Sequence, residues 1–218
     1  MFSILEVGLL SRPSRFLQFL LLAVVSLTIL PLAALPVHGQ LVGVVCISKT
    51  TGAFKDSCSP NPESFRGSTG KTLTVAVNIE GSEGFHGFTI SVRADARYLN
   101  PISFNIGGTV LESLGSPTVI FSCVNGIGTA CIVDIDGPGV VSLTVQAPQG
   151  TSTIAPTSGR LFTITYNITA VPSKSVSAIF FPGPCLAPFG TSVPGRCIDV
   201  FNPVLIPVPE TDQQATFR

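Results

Sequence analysis

Phe162, Ile164, Tyr166 and Ile168 alternate without a break against Thr163, Thr165 and Asn167. Successive side chains of a strand leave opposite faces, so such a run has one greasy side and one wet side. The pattern recurs. Leu73, Val75, Val77 and Ile79 alternate with Thr72, Thr74, Ala76 and Asn78. Phe88, Ile90 and Val92 repeat it, as do Val141, Leu143 and Val145, and so do Val119, Phe121 and Cys123, where Ile120 blurs the polar side. Further short strands are expected over residues 41–48, 102–106, 131–133, 177–181 and 196–201. Turn chemistry separates the runs: Gly81-Ser82, Asn125-Gly126, Asp136-Gly137-Pro138-Gly139, Gly150 and Ser158-Gly159. Helical period is missing after the N-terminal segment, apart from a single turn expected at 94–97. Many short strands, each with one apolar face, predict an all-β sandwich of two packed sheets.

Ahead of these strands lies a segment of another kind. Arg12 and Arg15 precede an apolar run over residues 16–30, interrupted by Gln18, Ser26 and Thr28, and Pro31 ends any helix. Val37-His38-Gly39 places small residues where a signal peptidase cuts. Residues 1–39 therefore read as a signal helix, removed before Gln40. An uncleaved anchor is the alternative, since the run with its flanks approaches the roughly 20 residues that span a bilayer. Either reading places the rest of the chain at the cell surface or in the extracellular medium, touching a membrane only through that segment.

Export gives the six cysteines their meaning. Cys46 and Cys58, Cys123 and Cys131, and Cys185 and Cys197 are neighbours in sequence, and an even count in an oxidising compartment implies bridges. Six cysteines allow fifteen connectivities. The three local pairs are favoured because short loops bring partners together first. Zinc is the competing use, but none of the three spacings is the short Cys-x2-Cys of a zinc site.

Charge narrows the partners. The chain carries 12 basic and 12 acidic residues, with no run of either sign. That balance argues against nucleic acid or an anionic membrane as partner, because both are held by clustered Lys and Arg. About 180 residues follow the cut, enough for one domain with its own core.

The stretch from 71 to 101 resembles the opening of a cohesin-like domain. Leu73-Thr-Val-Ala-Val-Asn-Ile79 leads through a short turn into Gly84-Phe-His-Gly-Phe-Thr-Ile-Ser-Val92, and Tyr98-Leu99-Asn100-Pro101 follow. Residues 137–145 and 158–168 resemble the paired strands of the second half of that family. The likeness covers roughly residues 41–201. It implies a jelly-roll or immunoglobulin-like sandwich of about nine strands that binds an extracellular protein or a polysaccharide and catalyses nothing. It also implies a domain over 40–201. Residues 202–218 then form a linker or tail, stiffened by Pro203, Pro207 and Pro209. No residue matches a dockerin-contacting motif, and three cysteine pairs depart from the usual cohesin.

The candidate sites are few. His86 is the one histidine after residue 39, in a Gly-Phe-His-Gly turn without a nucleophile signature, and it reads as an exposed turn residue. Asp134 and Asp136, two apart, place both carboxylates on one face of a strand. They are solvent-facing hairpin acids by default and weak calcium ligands otherwise, since calcium wants six to eight oxygens. As a glycosidase pair they show nothing that sets them apart from surface acids. Calcium is the one cofactor in view. Asn167-Ile168-Thr169 is a glycosylation acceptor on the polar side of its strand. The chain has no Trp, and of its 2 Tyr, Tyr166 falls on an apolar face and Tyr98 at a core position of the resembled family, so a sugar-stacking platform is not expected. Residues 41–48 read as a first strand tucked into its own sheet. As an open edge they would instead build a surface fibre or adhesion subunit by strand addition, which is the alternative function.

Overall fold

The computed structural model describes residues 42–129, 131–132, 135–148, 157–173, 176–183, 197–202, 208 and 210–218 of the 218-residue chain. The signal segment at 1–39 lies outside the described residues. The compact unit is Gln40–Arg218. The regular structure of its described part is nearly all strand, arranged in two sheets.

The first sheet runs in the order β12-β1-β3-β9-β5, with β1 at Gly43–Lys49, β3 at Thr72–Ser82, β5 at Leu99–Asn105, β9 at Thr157–Ile168 and β12 at Glu210–Gln213. The second runs β2-β13-β10-β4-β8-β6-β7. It comprises β2 (Ser64–Phe65), β4 (Gly87–Ala94), β6 (Thr118–Val124), β7 (Ile127–Thr129), β8 (Val140–Gln146), β10 (Ser177–Phe180) and β13 (Ala215–Phe217), and β11 (Ile198–Phe201) pairs with β4 as well. The alternating apolar positions meet between the sheets. Val75, Val77, Ile79, Phe162, Ile164 and Tyr166 from one side and Phe88, Ile90, Val92, Val141, Leu143 and Val145 from the other are all fully buried. Phe88 and Phe162 stack across the layer, ring centroids 5.7 Å apart. At about 25 cal/mol per Å2 of apolar surface, this layer is the main favourable contribution to the fold.

Several expectations are corrected. The described residues hold thirteen strands, more than the nine or so expected. Within the stretch 202–218 expected as a linker or tail, residues 210–218 form strands: β12 pairs with β1 in parallel, β13 lies between β10 and β2, and Phe217 is fully buried. Residues 210–218 thus contribute to both sheets. The same pairing agrees with the reading of 41–48 as a first strand tucked into its own sheet and not with the open-edge alternative, because β1 sits between β12 and β3 with both sides occupied. The hairpin after β6 turns on Asn125 and Gly126 alone, at φ 56° and 80°. Such paired positive φ values match the twist of the flanking strands. β7 therefore begins at Ile127, Cys123 faces Gly128 in register, and Cys131 lies beyond the strand rather than within one. The turn near 94–97 closes on Asp95, whose carbonyl accepts from the N–H groups of Tyr98 and Leu99 at 2.9 and 3.0 Å. A 3-10 helix at Val110–Leu114, capped by the Thr109 hydroxyl, has no counterpart in the sequence reading. Pro101 is tolerated inside β5 because that strand is an edge, where a missing N–H leaves no partner unsatisfied.

Candidate functional site

The two outer faces of the sandwich differ in how they are covered. Outside the first sheet, the polar positions of three strands fall in register. Thr72, Asn167 and Asn100 form one row, Thr74, Thr165 and Ser103 the next, and Ala76, Thr163 and Asn105 the third. Strands lie about 4.8 Å apart and same-face residues about 6.8 Å apart along each, so the rows make a nearly regular grid. Apart from the buried Ala76, its side chains are hydroxyls and amides with no charge among them. Thr74 and Thr165 touch through their hydroxyls at 3.3 Å. Thr72, Thr74, Asn167, Ser103 and Asn105 are exposed.

Toward β1 the same face is closed by the loop after that strand. Cys46 and Cys58 are bridged, with Cα atoms 5.8 Å apart. The bridge draws residues 50–58 over Ala76 and Asn78. The Asn78 amide donates to the carbonyls of Phe54 and Ser57 at 3.2 and 2.8 Å, and the Cys58 N–H donates to Glu80 at 2.8 Å. Phe54 in this loop and Ile102, bulged from edge strand β5, leave apolar surface at the two flanks of the grid.

On the outer face of the second sheet the polar positions of β4 and β8 are buried or half-buried. Ser91 and Ser142 pair across β4 and β8 at 2.6 Å, and Thr89 and Thr144 at 3.0 Å. Cys123 is bridged to Cys131, Cα atoms 5.4 Å apart. Cys197 also lies on this face, its sulfur 2.9 Å from the Ser91 hydroxyl. The expected partner of Cys197, Cys185, lies outside the described residues.

The candidate acids and histidine take other places than expected. Asp136 is not a solvent-facing strand residue. It sits in a turn closed by the Ile132 carbonyl and is buried there. Its carboxylate accepts from the Ser142 hydroxyl at 2.5 Å and from the Ile132 N–H at 2.9 Å, so both oxygens are engaged within the protein. Asp134 lies outside the described residues. Among the described residues no group of three or more metal-ligating side chains forms. His86 is buried rather than exposed. Its backbone joins the start of β4 to two other segments, donating to Phe201 and accepting from Ala147. Tyr166 is core, and burial pushes its phenol well above the ordinary value. Asn167 stands exposed in the grid, and the Thr169 hydroxyl of its triplet donates to the Arg97 carbonyl at 2.7 Å.

Two buried carboxyls went unread in the sequence. Asp199 is fully buried, among the described residues neither of its oxygens is hydrogen-bonded, and desolvation raises it to about 6. Glu210, at the start of β12, lies against Gly43, where a Cβ would collide with its Oε2 and with the Ser82 backbone. Burial raises it to about 7, against the opposing pull of a hydrogen bond donated by Ser82 and with a further push from Glu83. The one available signal was parity. Asp199 falls between two apolar residues of a strand, and alternation alone assigns it to water.

No family model and no curated protein matches the sequence. Solved structures do match. One is CaCohA2 from Clostridium acetobutylicum, in complex with a variant of CaDoc0917, at TM-score 0.52 and 13% identity, covering 81% of this chain and 98% of that one. The third cohesin of ScaC from Acetivibrio cellulolyticus, in complex with the ScaB dockerin, aligns at TM-score 0.51 and 11% identity over 81% and 98%. The type I cohesin–dockerin complex Coh-OlpC-Doc435 from Clostridium thermocellum aligns at 0.50 and 13% over 81% and 92%. At such identity the likeness is one of fold, and the chain from β1 to β13 is a β-sandwich with the fold of these cohesins.

Proposed function

We propose that this protein is an exported, non-catalytic module that holds a partner protein outside the cell on the outer face of β3, β9 and β5. The observation that carries the reading is the uncharged grid of hydroxyls and amides, set on three paired strands beside a disulfide-stapled loop. A face held by sheet hydrogen bonds and a crosslink loses little conformational freedom on binding, so more of its contact energy appears as affinity. Phe54 and Ile102 offer apolar contact at its flanks. Two further facts support the reading. The similar solved cohesins are described in complexes with dockerins. The bridges at Cys46 and Cys123 suit an oxidising compartment. A glycan on Asn167 would occupy the same face and block it.

The test places a charge in the grid. Wild type, Thr165→Arg and, on the other sheet, Ile127→Arg are used to capture crosslinked exported proteins from the native source. Thr165→Arg should lose the captured partner with an unchanged melting temperature, while Ile127→Arg keeps it. Equal capture by all three, or binding only to glycans, would sink the reading.

A further inference from the structure

Beside the grid, where the edge of the second sheet meets the start of β3, lies a groove of about 510 Å3 lined by Lys49, Arg66 and Arg218 and by the hydroxyls of Thr50, Thr51, Ser64 and Thr74. Three basic side chains meeting in one groove stand out in a chain that carries only 12 in 218 residues. Lys49 is already paired, its ammonium 2.8 Å from Glu63. Arg66 and Arg218 are exposed, and among the described residues neither guanidinium has a hydrogen bond or an ion pair. β13 runs parallel to β2 with Thr216 beside Ser64 and Phe217 beside Phe65. Continuing that register one residue sets Arg218 beside Arg66, and the Arg218 N–H donates to the Phe65 carbonyl at 3.0 Å to hold it there. Like charges side by side on neighbouring strands repel each other. An anion placed between them turns that repulsion into two charge-assisted hydrogen bonds, for which the forked guanidinium geometry is suited.

We infer that this groove seats an acidic segment of the partner protein, two carboxylates against Arg66 and Arg218, as the end of the interface that begins on the grid. Thr74 belongs to both, so the two surfaces are continuous. The inference rests on the protein-binding reading above and adds the partner's chemistry. A peptide is favoured over an acidic polysaccharide because the lining holds no Tyr or Trp, and its Phe65 is buried, which leaves a sugar ring no face to stack on.

The probe is a fluorescein-labelled oligo-glutamate peptide, with an uncharged Gly-Ser peptide and oligo-galacturonate as comparison arms, titrated against the oxidised protein by fluorescence anisotropy. Oligo-glutamate should bind saturably at about 50 mM salt and weaken about tenfold by about 300 mM, as screening shortens the reach of the charges. Arg66→Gln with Arg218→Gln should weaken it at least tenfold, with an unchanged melting temperature. Thr165→Arg should leave it intact, since the grid is not the anion site. Absence of saturable binding, equal binding by the double variant, or tighter binding of oligo-galacturonate would each overturn the inference. Partner capture separates the two readings: if Thr165→Arg abolishes it and the arginine variant does not, the groove fails while the face stands.

Discussion

The residues that most affect how this domain responds to its surroundings are two buried carboxyls, Asp199 in a strand whose alternation assigns it to water and Glu210 in a stretch that reads as a tail. Asp199 and Glu210 are buried, with pKa values raised from 3.8 to about 6 and from 4.5 to about 7. The folded state therefore holds their protons more tightly than the unfolded chain does. Their contribution is fully present below the unfolded values, near pH 4, and is lost as pH rises through 6 and 7. At about 1.4 kcal/mol per pKa unit, reduced by solvent screening, each ionisation costs the fold on the order of 1–3 kcal/mol. The domain should accordingly be more stable in urea at pH 4.5 than at pH 8. Asp199→Asn and Glu210→Gln should each flatten that slope, the second across the higher part of the range. A stability that rises from pH 4.5 to pH 8 in wild type would refute the assignment. Asp136 shows the complementary error. Its neighbours in sequence read as a strand, yet the chain turns at Ile132 and folds the carboxylate beneath β8, where Ser142 meets it. A local period cannot report which residues a turn brings together.

Among the elements, the long alternating runs were legible and the short ones were not. β3, β4, β8 and β9 carry apolar residues at every second position because both faces have a fixed environment along their length. β12 carries Glu-Thr-Asp-Gln, with no such pattern. It is held by parallel backbone pairing to β1, from Gly43 beside Glu210 to Cys46 beside Gln213, which any side chain permits. β13 has just Ala215 and Phe217 to mark it, behind a proline-rich stretch that reads as a linker. Phe217 nonetheless sits in the core cluster, fully buried. Phe217→Ala should lower the unfolding free energy by about 3–5 kcal/mol, the range for deleting a buried aromatic ring. A denaturant titration showing a loss of less than about 1 kcal/mol would mean that the C-terminal strands are not part of the cooperative unit.

At the scale of the whole molecule, the crosslinks decide which surfaces are open. Each sheet has a bridge on its outer face, Cys46 with Cys58 on one and Cys123 with Cys131 on the other. The first holds its loop over the β1 side and leaves β9 and β5 bare, which defines the proposed docking face. Cys46→Ser with Cys58→Ser should reduce stability by about 2–3 kcal/mol through added freedom of the unfolded chain. It should also raise hydrogen exchange at the backbone amide of residue 58, whose bond to Glu80 depends on the loop lying flat. Exchange unchanged at that amide would show that the bridge does not hold the loop.

By itself the sequence determined the class of the fold, the position of its main strands, the identity of its core and the local pairing of its first two bridges. These follow from period two, turn chemistry and loop length, all of them short-range properties of a chain. The tertiary structure alone decided that the last nine residues complete both sheets, that Asp199, Glu210, Asp136 and His86 lie inside, and that Arg66 and Arg218 stand together across 152 positions of chain. Those outcomes depend on which distant segments become neighbours, and pairing between strands far apart is set by backbone hydrogen bonds and packing that leave no periodic mark on the residues involved.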